Sequence, residues 1–146
     1  MSLPRHRTLA VLALVLGALL IAGCGNDDDD GADDAGIEAD YDITGSWSGK
    51  LTQQGLDPFR VDATNGSLDD PAQNTVEYTG IDCGGNWTYL GRAGSAFRFR
   101  EDIDRGAGGD CKGEGTVTLT PVSADGVDYS FRGGGVSSAG VLRRQN

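Results

Sequence analysis

AFRFREDI, residues 96–103, alternates apolar and charged side chains. Phe97, Phe99, Glu101 and Ile103 fall on one face, and Arg98, Arg100 and Asp102 on the other. Period two marks a strand with one buried face. The reading carries one anomaly. Glu101 shares the face that should point inward, and a carboxyl there must be paired or protonated.

The same period recurs outward in both directions. Upstream, GSWSGKL (45–51) sets Trp47 and Leu51 against polar neighbours, and PFRVDAT (58–64) does so with Phe59, Val61 and Ala63. TVEYTGI (75–81) places Val76 and Tyr78 on one side, and NWTYLG (86–91) places Trp87 and Tyr89. Downstream, GTVTLTP (115–121) alternates Val117 and Leu119 with threonines, and GVDYSFR (126–132) presents Val127, Tyr129 and Phe131. SAGVLRR (138–144) ends the series with Val141 and Leu142, whose phase the pattern leaves open. These are eight candidate strands separated by Gly-, Asp- and Asn-rich turns, with no helical run between them. Short antiparallel strands of this kind close best as an up-and-down barrel, which removes exposed edges. Eight strands leave an interior that side chains fill or that holds one small ligand. A β-sandwich is the alternative.

The first 42 residues have another character. Arg5, His6 and Arg7 precede a nearly unbroken apolar run, residues 8–22. At about fifteen residues it is shorter than the about twenty a membrane span needs, so it reads as an export leader. Leu20-Ile21-Ala22-Gly23-Cys24 resembles the bacterial lipobox. That resemblance implies cleavage before Cys24 and a diacylglyceryl group on its sulfur, an anchor to the cell membrane or outer membrane. Two or more acyl chains hold a protein stably where one does not, at about 0.8 kcal/mol per buried methylene. The acids that follow Cys24, from Asp27 to Asp42, have no base among them. Such a segment cannot bury enough surface to offset its ordering entropy, and its like charges extend it. Residues 24–42 are therefore expected to be the lipidated cysteine and a disordered acidic tether of up to roughly 60 Å. A calcium loop starting at Asn26 would put Ile37 where a carboxylate is required. Residues 43–146 remain as one β domain, in which acids and bases nearly balance.

Beyond Cys24, the chain has two cysteines, Cys83 and Cys111. An even pair in an exported chain reads as a disulfide, the other reading being two free thiols. In an up-and-down barrel, the turns after the third and fifth strands lie at the same end, so the bond is geometrically allowed.

Gly45-Ser46-Trp47 resembles the Gly-x-Trp opening of lipocalin-type and avidin-type barrels. A broader set of features is Trp47-x-Gly49, Tyr78-x-Gly80, Cys83-Gly84-Gly85, Phe99-x-Glu101-x-Ile103, Cys111, Gly115-x-Val117-x-Leu119 and Leu142-x-Arg144. Through these the domain resembles an extracytoplasmic β domain of exported bacterial proteins. That domain occurs in lipoproteins and as the C-terminal tail of some membrane serine/threonine kinases. The resemblance implies a disulfide-tied β domain outside the cytoplasm that senses or binds, and it brings no established chemistry. No kinase part is present in this sequence.

Composition argues against most catalytic chemistries. His6 is the sole histidine and departs with the leader, removing imidazole as base or ligand. Paired cysteines offer no thiolate, and the glycines lack the strand-loop-helix setting of a phosphate loop. The acidic tether disfavours nucleic acid. Asp102, Asp104 and Asp110 flank glycines and would offer oxygen ligands to calcium, but the disulfide turn explains those glycines without a metal. We expect no enzyme activity, no metal and no cofactor. Trp47, Phe99, Glu101 and Tyr129 are the candidate lining of a ligand cavity, with Glu101 as its polar handle; Trp47, Trp87, Tyr78 and Tyr89 read more readily as core. As a structural acid instead, Glu101 would bond an arginine or a turn amide near the rim. The expected function is a membrane-anchored extracytoplasmic binding or sensing module for a small ligand. The alternative is an envelope adaptor or inhibitor that meets a protein through Arg98, Arg100 and Arg132.

Overall fold

The computed structural model describes residues 40–146. The leader, Cys24, nearly all of the acidic segment and the calcium-loop reading at Asn26 lie outside the described residues. The eight strands are β1 (Gly45–Gln53), β2 (Phe59–Asn65), β3 (Asn74–Thr79), β4 (Cys83–Ala93), β5 (Ala96–Arg105), β6 (Glu114–Ser123), β7 (Gly126–Gly133) and β8 (Val136–Gln145). Each pairs antiparallel with the next, and β1 pairs with β8, so the sheet closes into an up-and-down barrel. Closure excludes the sandwich, which would leave edge strands. A three-residue 3₁₀ turn, Pro71–Gln73, joins β2 to β3, capped by the Asp70 side chain accepting from Ala72 N.

Register sets the interior. Trp47 lies opposite Ala63 and Arg144, Leu51 opposite Phe59, and Gly49 opposite Val61 and Leu142. Leu142 is the inward residue of the ambiguous pair and is fully buried, while Val141 lies opposite Lys50 and is 44% exposed. Trp87, Phe99, Val117, Leu119 and Val127 are sealed inside with them. The eight-stranded bore is just wide enough for such side chains, so the centre of the barrel is packed.

The two ends differ. Where β1 begins, Tyr41 packs on Trp47 and Phe97, at ring-centroid distances of 6.4 and 6.2 Å. Trp47 Nε1 donates to Ile43 O at 2.9 Å, and Asn65 Nδ2 donates to the same oxygen at 3.3 Å. The Arg144 guanidinium sits 4.4 Å over the Trp47 ring and donates to the carbonyls of Asp42 and Thr44. Residues 41–44 thus form a lid over this end. Tyr41 and Asp42, read above as the last of the tether, already belong to the barrel.

The opposite end carries residues 54–58, 80–82, 106–113 and 134–135. Cys83 and Cys111 form the expected disulfide there, with Cα atoms 6.5 Å apart. Cys83 is the first residue of β4 rather than a turn residue, and it ties the 106–113 loop down over the mouth.

Candidate functional site

Below that mouth, the barrel holds one group of buried polar side chains with linked hydrogen bonds. Tyr78 (β3) donates its O–H to Glu101 Oε2 (β5), and Trp87 Nε1 (β4) donates to the same oxygen at 2.8 Å. The phenol oxygens of Tyr78 and Tyr129 (β7) are 2.9 Å apart. Tyr78 spends its only proton on Glu101, so Tyr129 is the donor in that pair. The chain of bonds therefore runs Tyr129 to Tyr78 to Glu101, with Trp87 joining from the side. Register puts the parts in place: Trp87 lies opposite Glu101, and Glu101 lies opposite Gly115. A Cβ on Gly115 would stand 2.2 Å from the Phe131 ring, so glycine there lets that ring pack over β6.

Glu101 is only 4% exposed. Burial pushes its carboxyl above the ordinary value of 4.5, against the two donors that pull it down, and the nearby Asp102 charge adds to the rise. Burial likewise holds Tyr78 and Tyr129 well above the usual phenol range, so both stay protonated donors. No ion pair among the described residues includes Glu101.

Its second oxygen, Oε1, has no hydrogen-bond partner among the described residues. The one sealed and unpartnered side-chain polar atom among them is Asn65 Oδ1. Oε1 therefore opens onto the cavity that Glu101 lines. Tyr78, Tyr129, Phe59 and Phe131 wall this cavity, and Gln53, Ser138, Ile81, Val136, Asp110, Cys111 and Lys112 complete it. Its free space is about 20 Å³, enough for about one water. Two open clefts adjoin it at the rim. One shares Gln53 and Val136 with it, and the other shares Phe59, Ile81 and Asp110.

Of the four residues expected to line a cavity, the structure brings Glu101 and Tyr129 to one and leaves Trp47 and Phe99 in the packed interior, 1% and 0% exposed. The bore is too narrow for large rings to line it without filling it. Glu101 bonds a phenol and an indole rather than an arginine or a turn amide. Tyr78, read mainly as core, is part of the site. Asp102 turns to Arg100 at 3.0 Å and Asp104 lies 4.0 Å from Arg105, while Asp110 sits at the mouth, so the three do not converge. Among the described residues, no three His, Cys, Asp or Glu side chains are grouped to hold a metal ion. Arg98, Arg100 and Arg132 are exposed on the outer wall, with Thr116 between Arg100 and Arg132 in the register.

No protein-family model matches the sequence, and no curated protein matches it. Among solved structures, a de novo designed fluorescence-activating β-barrel is similar. It shares 18% identity over 72% of this chain and 94% of that one, with a TM-score of 0.52. The likeness is one of fold.

Glu101 gives the site a pH dependence of definite sign. In the unfolded chain the carboxyl ionises near 4.5, and in the barrel above that. The folded state holds the proton more tightly, so this group's contribution to stability is full below the unfolded value. It is lost as pH rises through the folded one. Asp42, Asp62, Asp70 and Asp125 are shifted down by hydrogen bonds and ion pairs and act in the opposite sense. Glu101→Gln keeps an acceptor for Tyr78 and Trp87, cannot ionise, and leaves those aspartates untouched. The unfolding free energy of Glu101→Gln minus that of the native protein is expected to grow as pH rises from about 4.5 toward 8. Urea denaturation of both proteins across this range measures it, and two parallel curves would contradict it.

Proposed function

We propose that this protein is a lipid-anchored extracytoplasmic binding module that takes a small ligand at the disulfide-tied end of its barrel. The observation that carries the reading is Glu101: a buried carboxyl with one oxygen fixed by Tyr78 and Trp87 and the other open to a cavity. Ligand sites commonly combine apolar and aromatic walls with a few placed polar groups, and this cavity does so on a small scale. The Cys83–Cys111 bond supports an oxidising compartment, and the resemblance of residues 20–24 to a lipobox supports export and anchoring. The packed centre argues against a deep carrier cavity, so the ligand enters by a head group while the rest stays at the rim.

One experiment reads each part of this proposal. Full-length protein, exported in a bacterial host and released from its envelope in mild detergent, is weighed by native mass spectrometry. The expected mass begins at Cys24, includes the diacylglyceryl group, and is two hydrogens below the reduced chain. It also carries an adduct that disappears in Ile81→Trp, which closes the mouth. An unlipidated chain would contradict the anchor. A lipidated chain with no adduct that also binds no added small ligand at the cavity would contradict the small-ligand reading and favour a protein partner at the exposed arginines of β5 and β7.

A further inference from the structure

We infer that the cavity above Glu101 is a site for a primary ammonium group, with Glu101 Oε1 as its charge partner. The inference rests on the small-ligand reading and names the ligand's class. Buried charges in proteins are paired or coordinate metals, and an unpaired one is costly. Glu101 has polar donors and no cation. Lys112, the single cationic residue lining the cavity, is exposed and turns its Nζ to Gly109 O at 2.6 Å. The bonds to Oε2 complete the anchoring of the carboxylate without neutralising it. A bound cation would supply the countercharge and favour the ionised form over the protonated one that burial favours, and Oε1 is the atom placed to meet it.

Size and surroundings select the kind of cation. The free space of about 20 Å³ admits a group about as large as a water molecule. An –NH₃⁺ head is of that size, whereas a guanidinium or quaternary ammonium is larger. A divalent metal would need several oxygen ligands, and Glu101 is the only carboxylate at the cavity floor, with Asp110 out at the mouth. The aromatic walls suit an ammonium, because ring faces attract cations, most strongly where water is excluded. The cavity wall also holds Ser138, whose Oγ donates to Gln53 Oε1 at 2.8 Å, and the half-buried apolar Val136 and Ile81. One rim cleft shares Val136 with the cavity and the other shares Ile81, and an alkyl or aryl tail would rest there.

The test is a titration of the full-length protein in detergent micelles with n-pentylammonium chloride, followed through the indole N–H resonances. Trp87 Nε1 bonds Glu101 directly, while Trp47 Nε1 bonds Ile43 O at the far end, so one indole reports and the other is an internal control. The expected result is a saturable shift of the Trp87 signal alone, with binding weakened at least tenfold in Glu101→Gln. The neutral 1-pentanol and the bulky tetramethylammonium should leave the signal in place. Ile81→Trp blocks the mouth without touching Glu101 and should also abolish binding, which covers the case in which Glu101→Gln misfolds. Equal binding of 1-pentanol, or full binding by either variant, would overturn the inference. An adduct without a basic nitrogen in the native mass spectrum, together with no pentylammonium binding, would overturn the ammonium assignment alone. Absence of both adduct and amine binding would overturn the small-ligand reading with it.

Discussion

Trp47→Ala is expected to lower the unfolding free energy by about 3–5 kcal/mol, the range for removing a buried large aromatic. Trp47 is 1% exposed and holds three things together at the lidded end. Its N–H satisfies Ile43 O, its ring lies beneath the Arg144 guanidinium at 4.4 Å, and Tyr41 stacks beside it at 6.4 Å. Alanine leaves a cavity in a bore that cannot collapse, because eight paired strands hold its width. It also removes the surface on which residues 41–44 rest, leaving Ile43 O with Asn65 Nδ2 alone. Denaturant unfolding, with the slope checked for constancy, measures the loss. A change below about 1 kcal/mol would mean that the lid and the ring are not coupled.

Removing the disulfide as Cys83→Ala/Cys111→Ala is expected to cost about 3–4 kcal/mol by the chain-entropy model for a loop of this length. The bridged residues are 28 apart in sequence. The effect should be uneven across the barrel. The 106–113 loop is attached through β5, β6, the bond and the short bridge between Gly108 and Cys111, and it brings Asp110, Cys111 and Lys112 to the cavity. Without the bond, amide exchange in 106–113 should rise well above that of β1 and β2, and pentylammonium binding should weaken with it. Unchanged exchange in the loop would show that the bond acts only on the unfolded chain.

The barrel was legible in the sequence because its strands obey period two with one buried face. The phase of Val141 and Leu142 was not, since two adjacent apolar residues fit either face. The register of β8 with both β1 and β7 decides it, placing Leu142 opposite Gly49 and Val127. Alternation showed that Glu101 points inward with Phe97 and Phe99. It could not show what meets Glu101, because Tyr78 and Trp87 stand 23 and 14 residues away and arrive only through strand pairing. The β4–β5 hairpin also slips register between Tyr89 and Gly91 and again between Gly84 and Gly85, which offsets the pairs between the two slips by one residue, Trp87 opposite Glu101 among them. Depth was equally hidden: Trp47 and Phe99 point inward as read, but their level in the barrel makes them core rather than cavity wall. Asn65 and Asn74, both fully buried, fall just outside the two stretches whose alternation marks β2 and β3. Their signal is asparagine at the two strand ends flanking one loop, where Asn74 accepts from Ser67 N at 3.1 Å and donates to Trp87 O at 3.2 Å.

The central claim is that Glu101 is a buried carboxyl without a countercharge, open to a cavity. The most direct measurement is a pH titration of the glutamate side-chain ¹³C signals in the full-length protein, with and without n-pentylammonium. The chain has four glutamates, and Glu101→Gln identifies the signal of interest by its disappearance. The account predicts that this signal titrates above the ordinary value of 4.5 and moves back down when the amine is present. A Glu101 signal that titrates at or below the ordinary value and ignores the amine would contradict it.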